Sequence, residues 1–67
     1  MVDKWTGRLV GKMHNERVTC GELAAEMGVG KSYVSMILNG KRKPDGIKER
    51  MEAAFDAIIQ RRKGHEH

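Results

Sequence analysis

An all-α fold, four helices in one small domain with the last helix long, is what this sequence predicts, and three observations predict it. Apolar residues recur at helical spacing in four separate stretches. Start and stop signals bracket the middle two stretches. At 67 residues, 39% hydrophobic and 33% charged, the chain is too short for two independent cores, so all four stretches must share one. A chain of this size buries only about 60% of its unfolded surface and often relies on a staple, a metal or a partner for stability.

The first helix runs roughly from Asp3 to His14. Val2, Trp5, Leu9 and Met13 recur on one face, and Asp3 serves as N-cap or first-turn acid. Gly7 and Gly11 each weaken it by about 1 kcal/mol relative to alanine, unless they let another helix approach closely. Trp5, the lone tryptophan on an apolar face, reads as core rather than as a stacking platform.

The second helix begins at Thr19, which with Glu22 fits a capping box, and Val18 and Leu23 are spaced as a hydrophobic staple across that cap. Leu23, Ala24 and Met27 form its apolar face, and Gly28 ends it. The third helix repeats the logic. Gly30 is its N-cap, Val29 and Val34 its staple, and Val34, Ile37 and Leu38 its inward face. Asn39-Gly40 closes it, and Lys41-Arg42-Lys43-Pro44 cannot continue it, because proline disfavours helix in the residue before it.

Pro44-Asp45 opens the fourth helix, whose face is Ile47, Met51, Ala54, Phe55 and Ile58 and whose pattern runs to about Lys63. Ile59 falls at the margin of that face. With Phe55 it either completes the core or forms a strip for a second subunit, core being the favoured reading for Phe55 and interface for Ile59. The domain therefore spans 1–63, with the central pair of helices at 19–40 and a frayed tail at 64–67.

On the third helix, a helical wheel places Ser32, Ser35, Met36 and Asn39 opposite the apolar stripe, with Lys31 at the N-terminal tip. A lysine there costs ~0.3 kcal/mol unless something anionic faces it. The net charge of +4 is modest, but from Lys31 to Lys43 there are four basic residues and no acidic one. Lys41, Arg42 and Lys43 directly after a helix pair form the electrostatic footprint of phosphate contact. Met36, apolar but outward, suits a thymine methyl.

The run EMGVGKSYVSMILNGKRKP, within Thr19 to Pro44, resembles the helix-turn-helix of the lambda-repressor and Cro-like family of phage and bacterial regulators. The resemblance implies that the first helix of the pair crosses the DNA backbone and the second enters the major groove. By position, Lys31, Ser32 and Ser35 then read bases, while Asn39 and the loop after it hold phosphates. Ala24, Gly28, Val34 and Ile37 inherit the core that sets the angle between the two helices. Thr19 and Tyr33 are further phosphate candidates. Where family members often carry glutamine at both helix starts, this chain has Cys20 and Lys31. Lys31 can donate to guanine O6 and N7 or settle on a phosphate. The family also implies a homodimer on half-sites about 10 base pairs apart, with the long fourth helix taking over pairing from a missing fifth.

The expected function is that of a sequence-specific, double-stranded DNA-binding transcriptional regulator, a repressor acting as a dimer on a short inverted repeat. The alternative is a protein-interaction module, or the antitoxin of a toxin pair, built on the same fold. No cofactor is expected. His65 and His67 lie two apart at the chain end, remote from His14, which does not make a metal site. No serine-histidine-aspartate set, carboxylate pair or phosphate-cradling glycine loop points to an enzyme. A single cysteine, Cys20, excludes an internal disulfide and fits a reduced, cytoplasmic setting. No apolar run approaches the ~18 residues of a membrane span or forms a signal peptide, so no membrane partner is expected.

Overall fold

In the computed structural model, which describes residues 4–64, four helices follow one another with no strand among them: α1 (Lys4–Glu16), α2 (Cys20–Met27), α3 (Lys31–Leu38) and α4 (Ile47–Gly64). The expectations placed on Val2, Asp3, His65 and His67 fall outside the described residues.

Three of the helices end in the same way. Val18 N–H donates to Met13 O at 2.8 Å and Arg17 N–H to His14 O at 3.2 Å, the paired bonds of a Schellman motif. The same pairing closes α2 (Val29 to Ala24, Gly28 to Ala25) and α3 (Lys41 to Met36, Gly40 to Ile37). At α2 and α3 the left-handed residue is glycine, as the sequence signals require. At α1 it is Arg17, with φ 56, the one non-glycine residue of positive φ among those described. No glycine marks that stop, so α1 runs two residues beyond the His14 at which the sequence reading ends it. The start of α4 shifts for a related reason. Gly46, with φ 73, turns the chain after Pro44-Asp45, and the helix begins at Ile47.

One core joins all four helices. Leu9, Met13, Val18, Leu23, Ala24, Val34, Ile37, Ile47, Met51, Ala54, Phe55 and Ile58 are buried together, with Trp5, Met27, Val29, Leu38 and Ile59 packed half-buried against them. Thr6, only 2% exposed, is the buried polar residue that the apolar pattern of α1 does not reveal. Phe55, at 6% exposure, belongs to this core. Of the two readings left open for Phe55 this is the favoured one, and it takes Phe55 out of any strip for a second subunit, because its ring lies on the inner face of α4 among side chains of the same monomer.

Gly7 and Gly11 lie on the outer face of α1, and a Cβ on either would meet nothing within 4 Å. No helix uses the space that they leave. The backbones of α3 and α4 each run close to those of α1 and α2 but not to each other. Lys31 and Ser32 at the start of α3 and Asn39 at its end are left exposed.

Candidate nucleic-acid interface

The two helix starts of the central pair are built differently. At α2, Glu22 N–H donates to Thr19 Oγ1 at 3.1 Å and Thr19 N–H donates to Glu22 Oε1 at 3.3 Å, so both halves of the capping box are made. Those bonds, the Thr19 backbone donor foremost and the Arg62 guanidinium next, hold the Glu22 carboxyl below the usual glutamate range. At α3, Gly30 caps the helix with no side-chain hydrogen bond, and no acidic residue lies in the first turn. Lys31 and Ser32 stand exposed at this end.

Along α3 the inward side is fixed by Val34 and Ile37, both essentially inaccessible. Ser32 and Asn39 are exposed, whereas Ser35 and Met36 are half-buried rather than fully outward. The Asn39 amide nitrogen donates to Ser35 O at 2.9 Å and to Ser35 Oγ at 3.3 Å. Its donors are thus turned back onto the helix. This pairing of Asn39 with Ser35 was not read from the sequence, although their i, i+4 spacing contains the signal.

The basic loop follows directly. Lys41, Arg42 and Lys43 are exposed, at the end of α3 opposite Lys31 and about 12 Å from it along the axis. The Arg42 guanidinium lies 5.9 Å from the centroid of the Tyr33 ring, within cation–π range. That contact links the arginine of the loop to the Tyr33 side chain of α3. A shallow pocket of about 220 Å³ opens beside this loop, lined by Trp5, Arg42, Lys43, Pro44 and the start of α4.

A half-buried helix pair, an exposed and acid-free second helix, and a cationic loop behind it form a surface suited to a polyanion. Residues 21–48 match the protein-family model described as Helix-turn-helix. Over those 28 of its 67 residues the chain is similar to the helix-turn-helix of the lambda-repressor and Cro-like family. No curated protein and no solved structure matches the chain. The family-model match supports a DNA-binding helix-turn-helix regulator with double-stranded DNA as its ligand.

Around the helix-turn-helix, other charged groups are already engaged. Arg61 pairs with Glu26 at 2.6 Å and Arg62 with Glu22 at 2.8 Å. Both arginines stand in the last turn of α4, and the fold pairs both with α2. Cys20 is a free, half-buried thiol in the first turn of α2, packed against the core. Among the described residues no three histidine, cysteine, aspartate or glutamate side chains are grouped to hold a metal, and no helix is long and apolar enough to cross a membrane.

Proposed function

We propose that this protein is a sequence-specific transcriptional repressor that acts by occupying a short inverted repeat as a homodimer. The observation that carries the reading is the start of α3: uncapped by any side chain, free of acid in its first turn, and tipped by exposed Lys31. Partial positive charge from the helix end and a full charge from lysine accumulate there with nothing in the described chain to answer them. A groove edged by phosphates supplies the answer.

In this reading Lys31, Ser32, Ser35 and Met36 face base edges, and Lys41, Arg42 and Lys43 hold phosphates, with Thr19 and Tyr33 beside them. Tyr33 acts mainly by seating Arg42. Asn39 acts mainly by fixing the Ser35 hydroxyl, since reaching a phosphate would require it to leave Ser35. Pairing of two copies falls to Ile59, which lies half-buried among Lys12, Asn15, Glu16 and Asp56 on the α1–α4 flank. An apolar spot bordered by both charge signs suits a twofold self-contact. Placed away from α3, it leaves the reading helix of each copy open.

Selection of binding sites from a pool of random duplexes tests the reading. Enrichment of an inverted repeat with half-sites about 10 base pairs apart is the expected result. Featureless binding confined to low salt would remove it and favour a protein-binding role for the same fold.

A further inference from the structure

Arg62 stands in the last turn of α4, yet its guanidinium closes the corner between α1 and α2. Nη2 donates to Glu22 Oε2 at 2.8 Å and to the Arg17 carbonyl at 3.2 Å, and Nη1 donates to the Glu16 carbonyl. Two electronegative features meet at this corner: the carbonyl end of α1, and the carboxylate that α2 needs for its capping box. The planar fork of one arginine answers both, which a point charge on a lysine could not do with the same geometry.

The corner matters because the first helix of a helix-turn-helix lies across the DNA backbone, and its N-terminus is the end that a phosphate would approach. An unmatched carboxylate in that first turn repels the phosphate. The box needs a side-chain acceptor at this position, and glutamate brings a charge with it. The structure answers that charge with a cation from the last turn of α4.

We propose that Arg62 is a positioning and charge-balancing residue for DNA binding: without touching DNA, it fixes the start of α2 against α1 and neutralises Glu22. The proposal rests on the DNA-binding reading of this motif. It assigns the extra length of α4 a task, since the turn that carries Arg62 lies beyond the last core residue, Ile58.

The test is a double-mutant cycle on the full chain, read as affinity for a labelled random-sequence 20-base-pair duplex at low salt, with helicity checked on each variant. Glu22→Gln preserves the capping box while removing the charge. Arg62→Gln is expected to weaken binding about five-fold, Glu22→Gln to leave it within about two-fold of the parent because that charge is already balanced, and the double variant to recover to within about two-fold of the parent. A double variant as weak as Arg62→Gln would overturn the proposal, because it would mean that Arg62 contacts phosphate itself or serves stability alone. Should Arg62→Gln fail to fold, Glu22→Gln decides: tightening of about five-fold or more would mean that Arg62 leaves the carboxylate unbalanced in the parent and overturns the proposal. Absence of any binding by the parent protein would instead remove the DNA reading, and this proposal with it.

Discussion

Helix α2 begins with its backbone donors answered from within the chain, by Thr19, Glu22 and, behind them, Arg62; helix α3, three residues after α2 ends, begins with Gly30 and exposed Lys31 and no such answer. Both starts share the same local requirement, because the first turn of any helix leaves N–H groups without intrahelical partners. The difference teaches which of the two is closed from within the chain and which is left open. A closed start contributes stability, commonly about 1 kcal/mol for its cap. An open start forgoes that contribution and retains its positive end for a ligand.

The largest expected effect comes from closing the open end. Gly30 has ordinary extended geometry, φ −79 and ψ 153, and a Cβ there meets nothing within 4 Å, so Gly30→Asp installs a cap without strain. Thermal unfolding should show a gain of a few tenths of a kcal/mol, while duplex affinity falls about ten-fold or more as the new carboxylate meets phosphate. If affinity holds, the contrast between the two starts has no bearing on DNA.

Next in size is the loop behind the open helix. Arg42→Ala should weaken binding to every duplex alike and lower the slope of log affinity against log salt by about one unit, the signature of one phosphate. A salt titration showing the parental slope would detach this loop from the phosphate role.

Breaking the closed end should act on stability. Thr19→Ala removes the side-chain acceptor for Glu22 N–H and should cost about 1 kcal/mol in denaturant unfolding. The comparison needs a reference in which stability changes far from either start, and α1 provides it. Gly7→Ala and Gly11→Ala, both on an open outer face, should each stabilise the fold by about 0.5–1 kcal/mol and leave duplex affinity unaltered.

The smallest effect is in acid. Glu22 has its folded pKa lowered by the Thr19 backbone bond and then by Arg62, so its contribution is present above the unfolded glutamate value and is lost as pH falls through the folded one. Stability profiles of the parent and Glu22→Gln should therefore differ at neutral pH and converge in the acid range. Parallel profiles would mean that the carboxylate bonds do not matter to folding.

Much of this was legible in the residues themselves. The box at Thr19 and Glu22, the staples Val18–Leu23 and Val29–Val34, and the stops at Gly28 and Asn39-Gly40 are interactions between residues a few positions apart, and the helical period alone brings such residues together. The apolar face of α4 was legible for the same reason, and its expected residues are the buried ones. Where a local signal was missing, the reading fell short. Arg17 ends α1 in a left-handed conformation that sequence rules reserve mainly for glycine, and Met36 and Ser35 sit half-buried because neighbouring elements, not the wheel, set their exposure.

By itself, then, the sequence determined where the two middle helices start and stop, which face of each helix turns inward, and that the cationic loop follows the third helix, since all of these depend on contacts within one or two turns. Only the tertiary structure decided that Thr6 is buried, that Arg42 rests over Tyr33, and that Arg62 reaches back to Glu16, Arg17 and Glu22. Those contacts depend on how the loop folds back along α3 and on the angles at which α1, α2 and α4 cross, angles set by the shapes of many core side chains acting together rather than by any spacing along the chain.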